Sequence, residues 1–262
     1  MTLGIALGEL ADRAAIWPGL GRREPGPLRL VVAADQAALG RVSRGQIPSW
    51  GVGLAFPSSR TIVVRADAPD PYGALRHELA HLALHEAVRV RVPLWFDEGY
   101  AVVAAGEWGR WDALELNGVV IRGAVGDLRT LDAALRQSEA EAATAYALAG
   151  STVMHLARLH PAGTLDALLQ RLAAGESFDS ALVATTGLTP AGFERSWQRD
   201  LRRRFGWFVW LTAGGGWLLV AILVLAAARW RRRRDLPRRL ALDEGWVVPE
   251  EDSEFSTPER FE

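Results

Sequence analysis

The spacing of apolar positions changes once along this chain, and the change separates a strand-rich part from a helical part. Leu30 to Ala34 is a compact apolar run suited to a buried strand. Trp50–Phe56 and Thr61–Arg65 flank the polar turn Pro57-Ser58-Ser59-Arg60 and predict a β-hairpin. From Asp70 the period becomes helical. Asp70 can cap, Pro71 fits the first helical position, and Leu75, Leu79 and Leu82 form a stripe in a helix running to about Arg89. Pro93 forces a break, and a second helix is expected from near Asp97 to about Ala105. Asn117 to Arg122 reads as a strand or a bulged connection. Beyond Leu128 the pattern is helical through Leu131–Gln137, Glu139–Leu159, Gly163–Ala173, Ser180–Thr186 and Pro190–Arg204. At the other end, residues 1–27 read as a short helix (Leu3, Leu7, Leu10, Ala14) and a Gly/Pro-rich connection from Pro18 to Pro27. Strands before the long helix and helices after it argue for an α+β domain over residues 28–204, not for alternating βαβ units.

The next segment is apolar without a period. Phe205 to Ala228 forms 24 positions with no charged side chain. At about 1.5 Å per residue this is long enough for a hydrocarbon core of about 30 Å, so residues 205–228 are expected to be one transmembrane helix in contact with a lipid bilayer. Trp207, Trp210 and Trp230 lie near its ends, where amphipathic rings favour the interface. Seven Arg follow the span closely and five precede it. That bias favours a single-pass protein with a cytoplasmic C-terminal tail and an extracytoplasmic folded domain. Met1 to Ala15 lacks a basic leader and contains Glu9 and Asp12. Either the true start lies upstream or the domain faces the cytoplasm. Residues 229–262, basic and then acidic, are expected to be a disordered tail.

Composition narrows the chemistry. The formal net charge is −1, so bulk electrostatics gives no reason to expect nucleic acid as a partner. There is no Cys, which excludes disulfides, thiolate metal sites and a cysteine nucleophile.

The candidate chemistry lies in His77-Glu78-Leu79-Ala80-His81 and in Trp95-Phe96-Asp97-Glu98-Gly99. Residues four apart on a helix share one face, so His77 and His81 can converge on one ion. Glu78, about 100° further round the helix, misses the ion but can reach a water bound to it. The break at Pro93 returns the chain so that Glu98 can supply a third ligand. Three protein ligands leave a fourth position open, as in catalytic zinc sites. This pattern predicts one Zn²⁺ held by His77, His81 and Glu98, with Glu78 as general base in amide hydrolysis. His85 continues the stripe by a further turn, beside the ligands or at the surface. Asp97 and Glu86 are a helix cap and a solvated charge, or groups that orient a ligand imidazole.

These two segments, with Trp95-Phe96-Asp97-Glu98-Gly99-Tyr100-Ala101 in the pattern W-x-x-E-G-x-A, resemble the gluzincin metallopeptidases, and among them the bacterial peptidase MA-like proteins. The segments Trp50–Phe56, Thr61–Val64 and Tyr146–Trp197 add to the resemblance, which covers roughly residues 28–204. It implies a zincin-like (thermolysin-like) fold: a small N-terminal β-sheet, the HExxH helix and a helical C-terminal part. It implies the same three ligands, Glu78 as catalytic base, and a peptide or protein substrate. Gluzincins often stabilise the oxyanion with a downstream Tyr or His. Tyr146 is the candidate here, ahead of His155 and His160. In related folds an edge strand before the zinc helix pairs with an extended peptide. Gly51, Val52, Gly53 and Leu54 are the corresponding substrate-binding candidates, with Trp50 and Phe56 beside the cleft. The competing readings are a catalytically silent zincin-fold scaffold at the membrane, and hydrolysis of a non-peptide amide.

Overall fold

The computed structural model describes residues 2–43, 45, 47, 50–205 and 216–243. The chain divides into two compact units, Met1–Phe208 and Val209–Glu262.

The first unit begins with α1 (Leu3–Ala11), β1 (Ala15–Trp17), β2 (Gly21–Arg23), β3 (Arg29–Ala33), α2 (Gln36–Val42), β4 (Gly53–Phe56) and β5 (Thr61–Arg65). β5 is the central strand of a three-stranded sheet ordered β3-β5-β4, parallel to β3 and antiparallel to β4. Its run Ile62-Val63-Val64 is wholly buried because both faces are covered. Ile62 and Val64 pack with Leu7 of α1 and Leu75 and Leu82 further on, while Val63 packs with Leu39 of α2. The expected hairpin is present. Gly53 pairs with Val64 and Phe56 with Thr61, and the turn closes through a short 3₁₀ segment and Arg60 at φ 46°.

α3 (Pro71–Ala87) follows, capped as the sequence predicts by Asp70, whose side chain accepts from the Gly73 N–H at 2.8 Å. Then come α4 (Leu94–Ala105), α5 (Arg110–Ile121), α6 (Leu128–Ala134), α7 (Glu139–Leu159), α8 (Asp166–Ala173), α9 (Phe178–Thr186) and α10 (Pro190–Phe205). They enclose a core in which Trp95 stacks on Phe193 (5.9 Å) and meets Phe178 edge-on (5.6 Å). The result is a mostly helical α+β domain with small sheets.

Three elements differ from the sequence expectation. Asn117–Arg122 is not a strand: it is the end of α5 and the residue after it, with Leu116 and Val119 buried three apart on one helical face. The expected connection from Pro18 to Pro27 contains β2, which pairs with β1 just before it, and these three-residue strands are too short to show alternation. α4 starts at Leu94, not Asp97, because the Asp132 carboxylate accepts the Trp95 N–H at 2.7 Å and supports an earlier start.

The second unit contains α11 (Gly216–Asp243). Residues 206–215 of the expected span 205–228 lie outside the described residues, as do 244–262 of the tail. Among the described residues no helix is long and apolar enough to cross a membrane. The uncharged part of α11 ends at Ala228, and the helix then continues through the Arg-rich stretch expected to be disordered.

Candidate active site

Both faces of α3 are needed to place its histidines. Leu75 and Leu82 bury it against the sheet, while Ala80 and Leu84 bury it against the helical part. His77, Glu78 and His81 remain toward a cleft of about 1020 Å³ that runs between β4 and the helices. α4 brings Glu98 to the opposite wall. Gly99 makes that placement possible: a Cβ there would stand 2.4 Å from the Ala149 carbonyl oxygen, so only Gly lets α4 and α7 approach this closely.

His77 Nε2 lies 3.4 Å from Glu98 Oε2, and His81 Nε2 lies 3.5 Å from the same oxygen. Each imidazole is anchored through its other nitrogen. His77 Nδ1 is 3.0 Å from Glu107 Oε2, and His81 Nδ1 is 2.7 Å from Asp97 Oδ1. Asp97 also meets His85 Nε2 at 2.8 Å. So both Nε2 atoms point at one place, and carboxylates hold both rings there.

Charge follows this geometry. Burial works to lower the His77 pKa, but Glu107 and Glu98 outweigh it and raise it to about 9. Burial also opposes protonation of His81, and Glu98 and Asp97 push its pKa well above the usual range. For Glu98 and Asp97 burial acts upward. The facing histidines win, holding Glu98 low and Asp97 down at about 2. Glu78 differs: it is 7% exposed and burial raises its pKa.

The donor set fits zinc. Ligand atoms about 2.0–2.1 Å from one tetrahedral ion stand about 3.3–3.4 Å from each other. The two nitrogen-to-oxygen separations of 3.4 and 3.5 Å are close to that edge. His77, His81 and Glu98 are one of two groups among the described residues whose ligand atoms all lie within 4.8 Å; His81, His85 and Asp97 are the other.

Residues 29–203 match the sequence profile of the peptidase MA superfamily. The chain belongs to that superfamily. No curated protein and no solved structure matches it. In this peptidase MA member the HExxH helix is α3 and the W-x-x-E-G-x-A segment opens α4.

Most residues singled out from sequence meet at this cleft. Gly51, Val52, Gly53 and Leu54 line it, with Gly53 and Leu54 in β4 and the other two just before it. Tyr146 of α7 lines it too, its ring 6.0 Å from that of His77 and 6.3 Å from that of Trp50. Burial and the nearby carboxylates push the Tyr146 pKa upward, so its hydroxyl keeps its proton. Phe56 instead packs with Leu39 and Val63. His155 lies between α7 and α10, where it meets Ser196 and Asp200. Glu107 was not foreseen. It stands just beyond the end of α4, and no motif spacing marks it.

Proposed function

We propose that this protein is a zinc metallopeptidase in which His77, His81 and Glu98 hold one Zn²⁺ and Glu78 is the general base. The observation that carries the proposal is the convergence of both Nε2 atoms on one Glu98 oxygen, with both Nδ1 atoms already occupied. Membership of a superfamily whose peptidases are typically zinc-dependent supports it. A zinc ion there supplies Lewis acidity, polarising a carbonyl oxygen and making water acidic near neutral pH. Glu78 takes the proton of the attacking water and delivers it to the leaving amine. Its buried carboxyl, with a raised pKa, is suited to both transfers. Tyr146 donates its hydroxyl hydrogen to the oxygen that gains charge. β4, an edge strand lining the cleft, pairs with an extended peptide.

The protein is anchored in a bilayer through residues 205–228, single-pass, with the tail cytoplasmic and the zinc domain outside. The support is the uncharged run in the sequence and the exposure of Trp217, Leu218, Ile222, Leu223 and Leu225 around α11. Deleting 205–228 is expected to release the chain from the membrane fraction.

The decisive test of the chemistry is Glu78→Gln. It is expected to bind about one zinc per chain and to lose peptidase activity by about 10²–10⁴-fold. Activity equal to the parent's would refute Glu78 as the base.

A further inference from the structure

The phase of β4 determines what meets Glu78. The Arg65 N–H donates to the Val52 carbonyl at 2.9 Å, and Gly53 pairs with Val64 across the ladder. Val52 and Leu54 therefore exchange main-chain bonds with β5, while Gly53 and Ala55 turn their main-chain groups outward, away from β5. Glu78 lies against this edge. Its side chain occupies the space that any side chain at position 53 would need. A Cβ on Gly53 would stand 2.7 Å from Glu78 Oε1, 2.9 Å from Cγ and 3.1 Å from Cδ. Glu78 is 7% exposed on a helix packed on both sides, so a Cβ at position 53 would displace its carboxylate toward the cleft.

We propose that Gly53 is a positioning residue for Glu78, its missing side chain allowing the carboxylate to lie across β4 within the cleft. The inference rests on the reading of Glu78 as the base. It assigns Gly53 a role distinct from contact with substrate. Gly in a strand costs stability relative to residues with a side chain, and at position 53 it leaves open the space that the Glu78 side chain occupies.

A double-mutant cycle in the full-length chain tests this, with melting temperature, zinc binding by chelator competition, and turnover of a quenched fluorescent peptide library as readouts. Gly53→Ala is expected to bind zinc as the parent does and to lose about 10- to 100-fold in kcat, with KM within about twofold. In the Glu78→Ala background the same substitution is expected to lower the melting temperature by much less than in the parent, because the colliding side chain is gone. That comparison holds even where Gly53→Ala alone is too unstable to assay. Equal losses of melting temperature in both backgrounds would overturn the contact. An unchanged kcat, or a loss confined to KM, would overturn the positioning role and return Gly53 to substrate binding. Coupling in a parent chain that binds zinc yet cleaves nothing would overturn the general-base reading and the positioning role with it, and leave only the packing.

Discussion

Two histidine–carboxylate clusters lie in the first unit, and they behave in opposite ways. At the cleft, His81 faces Asp97 and Glu98, and its pKa rises despite burial. Between α7 and α10, His155 Nδ1 lies 3.3 Å from Asp200 Oδ2 and its Nε2 3.1 Å from Ser196 Oγ. There burial wins and the pKa falls. The carboxylate is the difference. Asp200 is shared with Arg158 (2.7 Å) and Arg204 (2.8 Å), so its charge is already balanced. Among the described residues, Asp97 and Glu98 have only histidines as ion-pair partners. The nitrogens differ too. His155 has both engaged by one neighbour each, whereas His77 and His81 turn Nε2 toward a common oxygen. A buried histidine beside a carboxylate is thus a ligand candidate only when one nitrogen is left to converge with others. Otherwise it is a tie between helices.

The sharpest way to break this contrast is to remove one histidine from each cluster. His81→Ala is expected to weaken zinc binding by on the order of a thousandfold or more, since a complete structural site binds with about 10–16 kcal/mol and this one has three protein ligands. His155→Ala is expected to leave zinc affinity unchanged. Chelator competition on both variants decides it; zinc loss in folded His155→Ala would erase the distinction. A smaller effect probes the anchoring of the rings. Glu107→Ala and Asp97→Ala are each expected to weaken zinc binding by about 10- to 100-fold without unfolding the protein, with partial recovery in Glu107→Gln. Affinity equal to the parent's in Glu107→Ala would mean that the 3.0 Å contact to His77 does not orient the ring.

Legibility from sequence followed the range of the interactions. α3, its Asp70 cap and the β4–β5 hairpin are local features, and each announces itself within a few residues. The candidate ligand trio was readable because two of its members are one helical turn apart and the third sits in a recognisable segment. Glu107 was not, since only the fold brings it 30 residues in sequence to His77. Gly53 is legible as a cleft residue, but its contact with Glu78 depends on tertiary packing. α5 was misread because Gly118 disfavours helix and three β-branched residues, Val119, Val120 and Ile121, favour a strand locally, and burial of Leu116 and Val119 overrides that preference.

Weaker effects test the second cluster as a tie. His155 is 6% exposed, and His155→Ala is expected to cost about 2 kcal/mol in urea unfolding at pH 7 through lost packing and an unpaired Ser196–Asp200 edge. Asp200→Asn is expected to cost about 1 kcal/mol or less, because Arg158 and Arg204 are 37% and 50% exposed and solvent screens the pairs. Its pH dependence carries a sign. Burial alone would raise the Asp200 pKa, but Arg204 and Arg158 hold it below the ordinary value of 3.8. Its contribution is therefore complete above 3.8 and is lost as pH falls through the lower, folded-state value. That part of the stability gap between parent and Asp200→Asn should be lost only once pH falls below 3.8. His155 acts in a separate window. Its folded pKa lies below 6.5, so the unfolded chain binds the proton first and stability falls as pH drops below that value, more steeply in Asp200→Asn because Asp200 raises the His155 pKa against burial. A gap that did not widen as pH fell below 6.5 would show that Asp200 acts through its arginines and not through the charge of His155.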